Sequence, residues 1–438
     1  MPFQTQYTLL PAAVLLVFPA ICSAQAILLD AAVLQQMQET VHLQQKQLEQ
    51  QAEQIRQQSR KLEALKQQVT SLLQSAPSSK PPAVHLPPPV TSAAVPQPVT
   101  SGNDRIKLAV SGQINRAVNS VSDGGPTKLY HLDNNASNSR IRFTGSIQIT
   151  DDLQLGTRLE LAISPDSSLR VSQTNQSPGD YFNQRWAELS LQSTTLGKLS
   201  LGKGDTASNG SASRDLSCTD VVQYVGINAI ASGMLFRETG DDHDLTTIKV
   251  RDAFRSRDGL GRQSRLRYDS PPLFGFTLAG SIASEQRSDL ALYWGGEGYG
   301  FKALGAAAMA NPRRNDSGLQ YDGSFSLLHV VSGLNLTVSG GIQKRAIAKD
   351  STNLYVKLGW IAKFTRLGYT AFGVDYTNSG NMPTTDDRGY SVGAAVVQSF
   401  EKYATELYLQ HRIYSLKQSS GVLLDDMQVS TVGVRVKF

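Results

Sequence analysis

Between residues 27 and 75, apolar residues return every seventh position: Ile27, Leu34, Val41, Leu48, Ile55, Leu62 and Val69. Three positions after the later members of this set stand Met37, Gln44, Gln51, Gln58, Leu65 and Leu72. A sustained heptad of this kind predicts a coiled coil, because underwinding each helix keeps both seam positions facing a partner. The three consecutive glutamines of the second seam cost stability and fix register and oligomer state. At ~1.5 Å rise per residue the rod would be about 70 Å long.

From Asp104 onward the period changes from seven to two. In SRIRFTGSIQITDDLQLGTRLELAIS, Ile141, Phe143, Ile147 and Ile149 alternate with Arg140, Arg142, Ser146 and Gln148. After a tight turn, Leu153, Leu155, Leu159, Leu161 and Ile163 alternate with Gln154, Gly156, Arg158, Glu160 and Ala162. Side chains on a strand point alternately to opposite faces, so each such segment has an apolar and a polar face. Sixteen segments follow the pattern, near 106–118, 139–149, 153–164, 182–193, 198–203, 263–270, 275–284, 289–295, 300–310, 319–331, 334–345, 352–364, 367–377, 388–400, 404–416 and 427–438. The last ends in VSTVGVRVKF, with Val432, Val434, Val436 and Phe438 on one face and Thr431, Gly433, Arg435 and Lys437 on the other.

Alternation alone fits a soluble sandwich as well as a lipid-facing barrel. The connections separate them. Tight turns near Asp151-Asp152, Thr194-Thr195, Phe274-Gly275, Ser332-Gly333, Thr365-Arg366 and Lys402-Tyr403 alternate with long polar stretches such as SPDSSLRVSQTNQSPGD. Aromatic residues sit near strand ends, and the strand number is even, as a single-chain barrel closed in a membrane requires. The fold class expected is therefore all-β: a 16-stranded antiparallel transmembrane β-barrel at 105–438, with VSTVGVRVKF as its closing strand. An aromatic terminus on that strand is the kind of signal the outer-membrane assembly machinery reads.

The start of the chain agrees with export. Leu9–Ile21 is an apolar run too short to span a bilayer, followed by the small-residue pattern Cys22-Ser23-Ala24-Gln25-Ala26, which predicts a signal peptide over 1–26. Removal of that segment leaves Cys218 as the single cysteine, so no intramolecular disulfide can form. Residues 76–104 are rich in Pro, Ser and Val and predict an extended linker. The 438 residues carry a net charge of +5, a sequence pI near 9.0 and a mean hydropathy of −0.25. Their Lys and Arg form no block, which argues against a nucleic-acid partner. The six histidines are scattered singly, and no HExxH, GxSxG or complete phosphate-binding loop occurs. An enzyme, a metal site and a cofactor are therefore not expected.

SRIRFTGSIQITDDLQLGTRLEL, RWAELSLQSTTLGKLSLGKGDTAS, RLRYDSPPLFGFTLAGSIA and VGVRVKF resemble, in this order, strands two to five, the pair after the constriction loop, and the final strand of the Gram-negative trimeric porins. The resemblance covers about Ile106 to Phe438. The coiled coil and linker depart from the common pattern and resemble porins with a periplasmic extension, including some phosphate-selective and dicarboxylate channels. The resemblance implies a homotrimer in the outer membrane, in contact with lipid and lipopolysaccharide, assembled through the C-terminal strand. Its N-terminal rod would lie in the periplasm, where peptidoglycan is a candidate partner. It also implies that residues 204–261 fold into the lumen as a constriction loop. Arg140, Arg142 and Arg158 would form a basic wall with Glu160 as counter-charge, and the acidic side would hold Asp205, Asp215, Asp220 and Glu238. The function implied is passive diffusion of small hydrophilic solutes with weak ion preference. Two alternatives carry different signatures: a phosphate- or dicarboxylate-specific channel would show an unbroken ladder of inward Arg and Lys, and a tether or adhesin would not conduct.

Overall fold

Outward apolar and inward polar side chains close a single sheet on itself. The structure, a computed structural model, describes residues 99–103, 106–240, 243–314 and 317–438, together with Lys46, Glu53, Arg56, Gln57 and Arg60. Those last five are helical and exposed, and they fall on heptad positions away from both seams. The signal segment and the seam residues Ile27, Leu34, Val41, Leu48, Ile55, Leu62 and Val69 lie outside the described residues.

Sixteen antiparallel strands form the barrel: β2 (Ile106–Ser122), β4 (Arg140–Gln148), β5 (Leu153–Ile163), β6 (Phe182–Ser193), β7 (Gly197–Asp205), β10 (Arg262–Asp269), β11 (Phe276–Ala283) and β12 (Arg287–Gly298) make the first half. The second half is β13 (Phe301–Asn311), β14 (Ser317–His329), β15 (Leu334–Arg345), β16 (Ser351–Thr365), β17 (Gly368–Gly380), β18 (Arg388–Phe400), β19 (Thr405–Lys417) and β20 (Met427–Lys437). Each pairs with its neighbour in this order, and β2 pairs with β20 from Gln113↔Lys437 to Ser122↔Gln428. VSTVGVRVKF is thus the closing strand. Full closure removes the unpaired edges that an open sheet presents. All sixteen segments expected from the alternation correspond to barrel strands.

Two further strands line β2. β3 (Lys128–Asp133) continues the lane of β4, pairing Arg116↔Asp133 to Val121↔Lys128. β1 (Val99–Gly102) pairs Val99↔Val110 to Gly102↔Lys107. The end of the expected linker is therefore a strand, not an extended polyproline-like segment. The reason is geometric: β2 runs past the last residue of β20, and β1 takes up backbone groups that would otherwise have no partner. The remaining short elements, β8 (Leu235–Arg237) and β9 (Leu245–Lys249), form a separate two-stranded sheet in the long connection between β7 and β10.

The outer wall is apolar. Val432 of β20 is 59% exposed and Phe438, just after the strand, 50%, while Thr431 on the opposite face of the strand is 0%. Aromatic side chains collect at the end of the barrel that carries the tight turns. Trp360 stacks on Phe372 with centroids 5.6 Å apart and meets the edge of Phe364 at the same distance. Phe274, Tyr299, Tyr403 and Phe438 are exposed at that same end. An apolar band edged by aromatic residues fits a bilayer and its interface. Among the described residues no helix is long and apolar enough to cross a membrane.

Candidate functional site: the inner wall and the segment folded against it

Inward positions on the strands carry the polar residues, and the chain between β7 and β10 lies against them. Ser208 N–H donates to Asp289 on β12 at 2.9 Å, and Arg214 N–H to Ser324 on β14 at 2.9 Å. Leu216 N–H reaches Ser326 at 3.0 Å. Gln223 then donates to the carbonyls of Gly373 on β17 and Gly393 on β18, at 3.3 and 3.2 Å. Tyr414 on β19 donates to Ile227 O at 2.5 Å, and Asn119 on β2 to Ile230 O at 2.7 Å. Residues of six barrel strands thus hold one segment, all from their inward faces. A Cβ at Gly373 would fall 2.1 Å from Gln223 Oε1, so a larger residue there would displace the Gln223 amide.

The segment also brings its own apolar core into the barrel. Val221, Val222, Ile227, Ile230, Phe236 and Phe254 are all buried, and they cluster with Tyr355, Tyr414, Met427 and Val429 of the wall. Phe254 and Tyr414 lie 5.3 Å apart between ring centroids. An apolar core fixes the segment far more firmly than solvated hydrogen bonds alone.

On the wall of β4, β5 and β6, Glu160 sits fully buried among four guanidinium groups. Its Oε2 accepts from Arg142 Nε at 2.5 Å and Arg158 Nη2 at 2.9 Å, and its Oε1 from Arg185 Nε at 2.6 Å, with Arg140 Nε at 3.9 Å. Trp186 is nearly buried, and the guanidinium groups of Arg158, Arg262 and Arg185 lie over its ring at 3.7, 4.2 and 5.1 Å. Weakly hydrated, planar guanidinium groups stack readily on an aromatic face.

Arg140, Arg142 and Arg158 are therefore brought together around Glu160. Arg185 and Trp186 were missed because strict alternation allows only one of two consecutive residues to face inward. A register shift between β5 and β6, where Glu160 faces Trp186 and Leu161 faces Gln184, is a β-bulge that turns both toward the cluster. The only sequence signal was the Arg-Trp pair itself.

The residues expected on the acidic side are dispersed. Asp205 pairs with Arg262 at 3.1 Å. Asp215 pairs with Lys357 of β16, which also donates to Thr219 Oγ1 at 2.9 Å and Gln223 O at 3.0 Å. Burial pushes the Asp215 carboxyl up, but Lys357 and the donors of Ser217 outweigh it and hold the group below its usual range. Asp220 is exposed on the segment, and Glu238 bridges through its backbone to Leu424 in the connection between β19 and β20. Cys218, half-buried, has its thiol pushed up to about 12 by burial and by the nearby Asp220.

Elsewhere the inward cations mostly have one carboxylate each: Arg412 with Asp375, Arg265 with Glu188, Arg267 with Asp269. The exceptions favour positive charge, since Glu406 serves both Arg435 and Lys437, and Glu160 serves four arginines. Among the described residues no unbroken ladder of cations runs along the wall.

A closed barrel with an apolar outer band, a charged inner wall and a long segment folded against it defines a pore-forming protein of the outer membrane. A family model described as Gram-negative porin matches residues 88–412, and the chain belongs to that family. It is a non-enzymatic outer-membrane diffusion channel. A search of curated protein sequences returns no match. Among solved structures the fold is similar to an anion-selective porin from Comamonas acidovorans, with TM-score 0.52, 16% identity, and 76% of this chain and 100% of that chain covered. It is also similar to Salmonella typhi OmpF in complex with daunomycin (TM-score 0.50, 13% identity, 78% and 100% covered) and to the outer-membrane channel DcaP of Acinetobacter baumannii (TM-score 0.50, 10% identity, 78% and 100% covered).

Proposed function

We propose that the chain is a homotrimeric general diffusion porin with a weak preference for anions, in which residues 206–261 form the narrowest part of the pore. The observation that carries this reading is the charge imbalance at Glu160: four guanidinium groups surround one carboxylate, so the water-filled side of the wall is positive. A ring of like charge raises the local concentration of counter-ions in a narrow aqueous path. The preference is weak because most other inward cations are neutralised one to one. The anion-selective porin with a similar fold supports the direction of this preference.

The basic wall is Arg140, Arg142 and Arg158, extended by Arg185. Asp205 and Asp215 act as local partners of Arg262 and Lys357, and Asp220 and Glu238 are exposed carboxylates of the segment. The heptad over 27–75 would join three subunits in the periplasm and reach toward peptidoglycan. The C-terminal strand would carry the assembly signal in Val432, Val434, Val436 and Phe438.

Liposome swelling with full-length protein tests the channel. Neutral sugars of increasing size should enter at falling rates, with no saturation, and anionic solutes faster than cationic ones of equal size. Saturable entry of a neutral sugar, or faster entry of cations, contradicts it.

A further inference from the structure

At the end of the barrel opposite the tight turns, the tail of the inward segment and the ends of several strands enclose a cavity of about 420 Å³. Five arginines line it: Arg255 and Arg257 from the segment, Arg287 from the start of β12, Arg314 from the β13–β14 connection, and Arg345 from the end of β15. Asp252 is the single carboxylate among the described lining residues. Its Oδ2 already accepts from Lys249 N–H at 3.0 Å. Glu285, just outside, pairs with Arg287. Asp350 accepts from Lys344 at 2.7 Å and from the Arg345 backbone at 3.1 Å. Asp322 accepts from Gln320 at 2.9 Å.

Arg257 sets this cavity apart from a solvated patch. It is 6% exposed, has no carboxylate partner among the described residues, and its Nε makes no hydrogen bond. One terminal nitrogen donates to Ser351 Oγ and to Met382 Sδ, the latter at 3.0 Å. Its stem packs over Gly341 of β15, where a Cβ would fall 2.5 Å from that of Arg257. Burial, with Arg255 and Arg345 close by, lowers its pKa to about 10. A buried guanidinium is normally paired, because leaving it without a counter-charge is costly. Here it touches neutral groups, and the charges that act on it are those of Arg255 and Arg345.

We infer that this cavity binds a small multivalent oxyanion, a phosphate or a compound carrying two or more carboxylates, at the mouth of the pore. Guanidinium groups match oxyanions with paired, charge-assisted hydrogen bonds, and several converging on one volume select for more than one negative charge. The volume holds such a solute with some of its water. The site rests on the channel reading, which it deepens by adding a binding step before the Glu160 cluster. It needs no lipid: the lining residues come from the inner side of the strands and their connections.

Equilibrium dialysis of inorganic phosphate against the full-length protein in detergent micelles, at low ionic strength, tests the site without requiring conduction. One saturable site per chain is expected, displaced by citrate and not by chloride at equal ionic strength. Arg255→Gln/Arg345→Gln, both at accessible positions, should weaken binding at least roughly tenfold while leaving the barrel folded. Arg142→Gln, in the wall cluster, should leave phosphate binding unchanged. Binding lost in Arg142→Gln and kept in the double variant moves the anion to the wall and overturns the inference, while the channel reading stands. No saturable binding overturns it as well. Displacement by stoichiometric lipopolysaccharide assigns the cavity to a lipid phosphate and overturns the soluble-ligand assignment.

Discussion

Lys357 of the barrel wall and Asp215 of the inward segment form a buried ion pair between residues 142 positions apart, and Lys357 has no solvent exposure. The pair fastens the segment to β16 near the segment's start, and the Lys357 bonds to Thr219 and Gln223 tie down the next turn. Lys357→Met leaves the Asp215 carboxylate without its counter-charge, which costs about 3–5 kcal/mol in buried pairs. A lower urea midpoint and a noisier, larger conductance are expected. Lys357→Met/Asp215→Leu should lose less stability than Lys357→Met alone, a coupling that a double-mutant cycle measures directly.

The same pair fixes a pH dependence. The Asp215 pKa is depressed in the folded protein, so its contribution is complete above the ordinary carboxylate range (~4) and disappears as pH falls through the depressed value. Open-channel conductance should therefore be steady from pH 7 to 5, with fluctuations appearing only below about 4. Recording single channels in symmetrical salt across that range provides the check.

Glu160→Gln removes the one carboxylate among four guanidinium groups. Anion preference should rise, seen as a larger reversal potential in a salt gradient, and stability should fall by a few kcal/mol because the arginines then repel one another (~3–5 by analogy with broken buried pairs). Arg142→Gln should move the reversal potential the other way. Equal reversal potentials for both variants and the parent would separate selectivity from this cluster.

Closure of the barrel depends on Gly112. Its N–H and C=O bond to Phe438 at 2.7 and 3.0 Å, and a Cβ there would fall 2.6 Å from the Phe438 ring and 2.7 Å from Arg140 O. Gly112→Val should abolish the heat-modifiable folded band on gels, because the ring and a backbone oxygen on β4 cannot both move aside. Gly298, with nothing within 4 Å of an added Cβ, is the matched control: Gly298→Ala should fold normally.

Cys218 should resist thiol reagents in the native protein at pH 8. With its pKa near 12 the thiolate is scarce, and the thiolate is the reactive form. Maleimide labelling that appears only after unfolding is the expected result.

Most of the barrel was legible in the sequence because the period of two is imposed by the strand itself and the membrane sharpens the contrast between its faces. Ile141, Phe143, Arg140 and Arg142 could be assigned to opposite sides without any tertiary knowledge, and so could Val432 and Arg435. Arg140, Arg142, Arg158 and Glu160 share the inward face of two consecutive strands, so their meeting followed from register. Arg185 and Trp186 did not, since a bulge breaks the alternation that made the others readable. The partners of Asp205, Asp215 and Glu238 were hidden for another reason. Asp215 and Glu238 lie on a segment whose path is set by contacts with distant strands, and Asp205, at the end of β7, meets Arg262 only across the pairing of β7 with β10 that the long connection separates in sequence. The five arginines of the mouth cavity come from four separate places in the sequence and converge only once the sheet is closed.

The most direct test of the account is the reversal potential of the full-length protein in a planar bilayer under a tenfold potassium chloride gradient. A roughly ohmic channel reversing toward the chloride equilibrium potential, by less than the ideal value, is predicted. Reversal toward potassium, or the absence of any conductance, would contradict a positively lined diffusion pore.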